Sequence, residues 1–365
     1  MPNYTKNKSL PEECVKIAEQ FLDISKKMDS PGFYNIKAHV AISLFYWHLE
    51  ESPKDRDPAP EFIKNFKKAI LILKTVFENS ICSKDFFSTT NLETEKGTGQ
   101  VVDEDFEKKI SGLFSDVWVG FSDKVYFEEA LSFTRERFKR NNVNADDYFK
   151  NKVVVDAGCG SGKYSATLAS LGAKKVIGID IGEKGLEFAN KQKQKHPRGD
   201  IIEYKNCSLI DIKLDDSSVD MVWSNGVIHH TKDYEKCLSE FARIIKPDGN
   251  LYLYVEGEEG LYELLCDTLV KAHRGLPRSI VQNMLTSYGT DSGRIYWVMD
   301  NLFAPYERKT RCEVEKLLHK HGFEDIFPML RGLDIDNNEM VYSKQPYAKI
   351  KHGDGMLKYL ATLRK

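Results

Sequence analysis

The sequence predicts an α/β fold, a mostly parallel sheet covered by helices on both faces. Three observations point there. From Lys152 onward, short β-branched runs (VVVDAG, KKVIGID, DIIEYKN, DMVWSNG, NLYLYVEG) alternate with helical segments (YSATLASLG, KGLEFANKQKQ, YEKCLSEFARIIK). Strict β-α-β alternation with nearly continuous apolar strands is the pattern of a buried parallel sheet. A glycine-rich turn joins the first strand to its helix, where such sheets bind ligands. Finally, 365 residues with 41% hydrophobic content exceed one small domain and supply a large core.

In chain order, the first 80 residues read as three helices. Ser9 and Glu12 form a capping-box signature, with Pro11 tolerated in the first turn, and Val15, Ala18, Phe21 and Leu22 make one apolar stripe. A second helix is expected over 33–50. A third, over 60–79, repeats Phe62, Phe66, Ile70, Leu73 and Phe77 at helical spacing. The polar stretch STTNLETEKGTGQ has loop chemistry, and an aromatic helical segment with Phe114, Trp118, Phe121 and Tyr126 follows it. The helix before the fifth strand closes on KPDG, a turn that stops a helix and feeds a strand.

Chemistry concentrates at the strand ends. The first strand ends in Asp156, followed by Gly158, Gly160 and Gly162; the second ends in Asp180, 18 residues beyond Gly162. Glycines allow a tight turn and close ligand approach, and a carboxylate at the second strand end accepts both hydroxyls of a ribose. This order signals an adenosine-containing cofactor. A dinucleotide fingerprint spaces its glycines G-x-G-x-x-G around a pyrophosphate. Here the third glycine comes one residue early, and Asp156 would repel a pyrophosphate while welcoming an ammonium. That charge logic favours S-adenosylmethionine over NAD.

At these residues the chain resembles the class I S-adenosylmethionine-dependent methyltransferases. VVVDAGCGSGKYSATLASLGAKKVIGIDI carries their glycine motif and ribose acid, and SSVDMVWSNGVIHHTKDYEKCLSEFARIIKPDGNLYLYV their fourth and fifth strands. The resemblance covers about residues 105–330. Phe114…Trp118 and Asp300…Pro305-Tyr306 match a branch with an aromatic segment before the first strand. It implies a Rossmann-like, mostly parallel seven-stranded sheet with helices on both faces, an N-terminal helical region and a helical insertion after the fifth strand. It implies boundaries of 1–84 for the helical region, 85–105 for a linker, 106–345 for the methyltransferase domain with insertion 257–303, and 346–365 for a basic tail. Carried over, Asp156, Gly158, Gly160 and Gly162 surround the methionine end of the cofactor. Asp180 holds the ribose and Ile181 lies against the adenine. Many relatives place an acid after the third strand; here Ser208 stands there, leaving the backbone of Ser208 and Leu209 to meet the adenine. Asn225 lines the methyl group.

His229 and His230 follow the fourth strand. As imidazoles they suit a general base, and His230 serves that reading or helix-start packing equally; His229 reads first as packing. Glu256, after the fifth strand, is a further acceptor-facing candidate, although three acids within YVEGEEG also suit a solvated loop. The insertion, with Tyr288, Tyr296 and Trp297, and the aromatics Trp118, Phe121 and Tyr126 either shape an acceptor pocket or pack. After Tyr342 the tail carries six Lys/Arg against Asp354, a solvated basic end.

The composition narrows the function. With 53 Lys+Arg against 55 Asp+Glu, a net charge of -2 gives no bulk pull toward nucleic acid or anionic membrane. The element (N/D)PP(Y/F) of base-amino methyltransferases is replaced by SNGV. Seven dispersed cysteines without CxxC spacing point to reduced thiols in the cytoplasm and to no metal site. No apolar leader and no stretch of membrane-spanning length is visible. The expectation is a methyltransferase acting on a small-molecule acceptor, with RNA or protein methylation, or a non-catalytic cofactor-binding scaffold, as alternatives. The amphipathic N-terminal helices allow a homodimer.

Overall fold

Short, largely apolar runs build seven strands into one sheet: β1 Val153–Ala157, β2 Lys175–Asp180, β3 Ile202–Asn206, β4 Val219–Asn225, β5 Ile245–Glu256, β6 Phe323–Pro328 and β7 Met356–Leu363. The computed structural model describes residues 10–48, 52–53, 55–82, 123–273, 275–290, 292–304 and 306–364. Ser9, the linker expected over 85–105, Phe114, Trp118, Phe121 and Pro305 lie outside the described residues. Two units divide the chain. One comprises 103–258, 306–344 and 354–365; the other comprises 1–102, 259–305 and 345–353.

The first unit holds the sheet, in the order β3-β2-β1-β4-β5-β7-β6. β1 to β5 pair in parallel, while β7 runs antiparallel to both β5 and β6. Strand order reverses between β1 and β4, the place where open α/β sheets bind ligands. Alternate residues feed two cores. Val155, Ile177, Val222, Leu251 and Leu253 pack on one face with Leu238 and Phe241 of helix Tyr234–Ile244. Val154, Val176, Met221, Trp223 and Tyr252 pack on the other with Phe138, Phe149 and Leu168. There Trp223 and Tyr252 stack with ring centroids 3.7 Å apart and planes 9° apart. The KPDG turn persists inside β5 as an irregularity, with Asp248 at φ 60° and a register shift opposite Val219/Met221.

The expected basic tail over 346–365 needs correction. Its second half is β7, the strand that joins β5 to β6, and Leu357, Tyr359, Leu360, Ala361 and Leu363 are buried. Counting charges hid an apolar run. The one charge inside it, Lys358, is neutralised locally: its Nζ donates to Asp336 Oδ2 at 3.2 Å and to Asn338 Oδ1 at 3.1 Å. Asp336 also receives a two-pronged bond from Arg137 at 2.7 and 2.8 Å. A buried ion is tolerated when paired in this way.

The second unit is helical. Helices Glu12–Lys27, Tyr34–Tyr46 and Ala59–Cys82 share one apolar core with the insertion helices Leu261–Ala272, Arg278–Ser287 and Ser292–Phe303. The insertion therefore folds with the N-terminal helices. The expected stripe buries Phe62, Phe66 and Leu73, and Phe21 meets the edge of Phe66 at 5.4 Å. The His273 ring bonds the Lys37 carbonyl at 3.0 Å, tying insertion to N-terminal helix. No helix among the described residues is long and apolar enough to cross a membrane.

This core also encloses His48, whose two ring nitrogens have no hydrogen-bond partner among the described residues. Burial, then the neighbouring His352 and Lys351, pushes its pKa down to about 3, and burial with the Lys351 charge brings His352 down to about 4. Both imidazoles are thus neutral when folded, whereas the unfolded chain takes up protons near pH 6.5. Stability is complete above that pH and falls as pH drops toward the folded values, by up to about 1.4 kcal/mol per pH unit per group. Urea unfolding from pH 7 to pH 5 should show this loss. His48→Leu should flatten it, and an unchanged slope would show that His48 does not contribute.

Candidate active site

The turn after β1 is shaped by glycine. Gly158 sits at φ +77° and a Cβ there would lie 2.3 Å from Val227 Cγ1; at Gly162, φ +81°, a Cβ would lie 2.2 Å from the Tyr204 hydroxyl. Side chains are excluded at both positions by backbone conformation and by space. Gly160 has φ 52°. From below, Tyr126 donates its hydroxyl to the Ser161 carbonyl at 2.6 Å.

Asp180 clasps this turn to the next. Its Oδ2 accepts the Gly160 N–H at 2.8 Å, and its Oδ1 accepts the Gly182 N–H at 2.7 Å. Burial raises the Asp180 pKa, and the N–H bonds from Gly182, Gly160 and Ile181 oppose that rise. Asp156 is buried more deeply, 2% exposed, and accepts the Ser165 hydroxyl at 2.6 Å. Burial pushes it up to about 7; the Asp180 charge adds to the rise and the Ser165 bond opposes it. Two carboxylates in this setting favour a cationic ligand.

The register aligns the remaining groups. Asp156 pairs with Gly178 and Trp223, and Asn225 pairs with Tyr254. Because alternate residues share a face, Asp156, Asp180, Asn225, Tyr254 and Glu256 stand on one face near the carboxyl ends of the strands. Asn225 Oδ1 accepts the Tyr252 hydroxyl at 3.3 Å. Ile181 follows Asp180 directly and is half-buried. Beyond β3, the Cys207 N–H and the Asn206 side chain both bond the Asp180 carbonyl at 3.2 Å. Ser208 O accepts the Asp211 N–H at 3.3 Å, while the Leu209 side chain is buried in the core.

His229 and His230 lie in the 3₁₀ turn Ile228–His230 and are both buried. His229 Nδ1 accepts the Glu256 main-chain N–H at 3.2 Å. Its proton is therefore on Nε2, which faces His230 Nε2 at 3.0 Å and makes that atom the acceptor. Tyr306 stacks on His229 at 5.1 Å and meets His230 edgewise at 4.3 Å. Burial, then the neighbouring His230 and Arg308, holds His229 well below the usual imidazole range. Ser165, Tyr204 and the bracing role of Tyr126 were not visible in the sequence. Tyr126 lies 35 residues from Ser161, and no local pattern marks such a contact.

Residues 155–253 match the family model described as a methyltransferase domain. A 27-O-demethylrifamycin SV methyltransferase from Amycolatopsis mediterranei is 31% identical over 100 residues, 27% of this chain and 37% of that protein. A malonyl-(acyl-carrier protein) O-methyltransferase from Yersinia pestis is 35% identical over 138 residues, 38% of this chain and 49% of that protein. The chain thus spans less than half the length of these two curated relatives. Among solved structures, the Burkholderia thailandensis 1,6-didemethyltoxoflavin-N1-methyltransferase with bound 1,6-didemethyltoxoflavin and S-adenosylhomocysteine aligns with a TM-score of 0.43 and 15% identity, over 73% of this chain and 93% of that one. The matched segment contains Asp156, the three glycines, Asp180 and Asn225, so these residues lie in the stretch of the chain that is similar to a methyltransferase domain.

Proposed function

We propose that the protein transfers the methyl group of S-adenosylmethionine to a small-molecule acceptor, with release of S-adenosylhomocysteine, in the cytoplasm. The observation that carries this reading is the pair of carboxylates, buried Asp156 and half-buried Asp180, beside a glycine turn whose Gly158 and Gly162 admit no side chain. The donor set fits the cofactor. Asp156 would take the ammonium of the methionine end, which neutralises a carboxylate that burial otherwise disfavours. Asp180 keeps lone-pair capacity beyond its main-chain N–H bonds and would accept the ribose hydroxyls. Ile181 would lie against the adenine, the backbone of Ser208 and Leu209 along its edge, and Asn225 near the methionine end.

The cofactor supplies a methyl group on a cationic sulfur, so the protein's task is alignment and proton removal. The Asp180 clasp fixes the glycine turn before any ligand arrives. The part of the chain outside the matched segment, including the insertion, is where acceptor choice would reside. The near-neutral charge suits a small molecule better than a polyanion.

Calorimetry with S-adenosylhomocysteine should show binding, and Asp180→Ala should weaken it by about 10- to 100-fold, the loss of one or two charge-assisted hydrogen bonds. No binding, or binding indifferent to the substitution, would contradict the reading. A second expectation follows from Asp156. In the free protein its ionisation costs stability as pH rises toward about 7, and a bound ammonium removes that cost. Affinity should therefore fall below about pH 7, by up to about tenfold per pH unit. Asp156→Asn should bind weakly with a flat pH profile; a wild-type affinity constant from pH 8 to pH 6 would argue against an ammonium at Asp156.

A further inference from the structure

We propose that Glu256 is the base that removes the acceptor's proton, and that the acceptor is a hydroxyl compound. The inference rests on the methyltransferase reading above. It starts from placement: Glu256 ends β5, two residues beyond the Tyr254 that pairs with Asn225, on the face that also carries Asp156 and Asp180.

Two contacts hold Glu256 in position. The Tyr254 hydroxyl donates to Oε1, and the Glu256 main-chain N–H donates to His229 Nδ1. No hydrogen bond among the described residues engages Oε2. The carboxylate is half-buried, so this oxygen can meet a ligand while its partner stays fixed. A positioned carboxylate of this kind is a general base.

The histidine pair is poorly arranged for the task. His230 Nε2 already accepts from His229, and His229 Nδ1 already accepts from Glu256. Both basic lone pairs are engaged inside the protein. The pair instead positions Glu256 through its main chain.

The acceptor class follows from the base itself. A carboxylate or phosphate acceptor would arrive ionised and need no base, whereas a hydroxyl must lose its proton as it attacks. As the acceptor oxygen attacks, its bond to the methyl carbon forms and the carbon–sulfur bond breaks, leaving its electron pair on sulfur. The hydroxyl proton passes to Glu256 Oε2 and then to water. Charge and atoms balance with no further reactant.

Glu256→Gln is the informative variant, because its amide carbonyl still accepts the Tyr254 hydroxyl while basicity is lost. Wild type, Glu256→Gln and Tyr254→Phe would be incubated with a metabolite extract and methyl-labelled S-adenosylmethionine. S-adenosylhomocysteine formation would be followed against pH, and labelled products identified by mass spectrometry. The expected results are a methyl ether as product and turnover lowered about 10²- to 10⁴-fold in Glu256→Gln. That variant should also lose the acid limb of the pH–rate profile, whereas Tyr254→Phe keeps the limb with a smaller loss. Calorimetry should find S-adenosylhomocysteine affinity within about twofold of wild type in both variants, since neither residue is assigned to the cofactor. Turnover of Glu256→Gln within about threefold of wild type, or label on carboxylate, nitrogen, sulfur or carbon, would overturn the inference. A wild type that forms no S-adenosylhomocysteine would sink the methyltransferase reading itself, a distinct result.

Discussion

The carboxylate of Asp180 is the constraint on which the site depends. By bonding the main chain of both Gly160 and Gly182, it joins the turn after β1 to the turn after β2. Charge-assisted bonds of this kind each contribute about 1.5–3 kcal/mol. They also fix the glycine turn in a left-handed backbone that would otherwise be dearly bought in entropy. A site assembled in advance spends less of its binding energy on ordering itself.

From that clasp the remaining geometry follows along the sheet. Parallel pairing carries the register from Asp180 through Asp156 and Asn225 to Tyr254, so polar groups fall on one face near one edge. The same face lower in the sheet is filled by Trp223 and Tyr252, which support the strands. β7 then carries the sheet on to the edge strand β6, and its single buried lysine is matched by Asp336. A hydrophobic floor beneath a polar rim raises the strength of every electrostatic contact on it. Asp156, perturbed toward neutrality, and His229, held neutral, are two consequences of that floor.

Much of this was legible in the sequence, because the fold is encoded locally. VVVDAG followed by glycines, and VIGID ending in an acid, specify strand, turn and clasp within about 30 residues. The helical stripe Phe62, Phe66 and Leu73 was readable for the same reason, since its period is short range. What escaped were contacts between distant segments. Tyr126 under Ser161, and the shared core of the insertion and the N-terminal helices, depend on packing that no window of residues reports. The strand β7 escapes for a different reason: the lysines in and around GMLKYLATL outweigh its apolar run, and the partner that neutralises Lys358 lies 22 residues upstream. Sequence alone leaves the histidine pair as base or packing, and only its bonding pattern separates the two.

The most direct test of the account is a crystal structure of the protein with S-adenosylhomocysteine. The account predicts the amino group against Asp156, the ribose hydroxyls on Asp180, and the sulfur on the face shared by Asn225 and Glu256. A ligand bound elsewhere, or one whose ribose leaves Asp180 untouched, would contradict it.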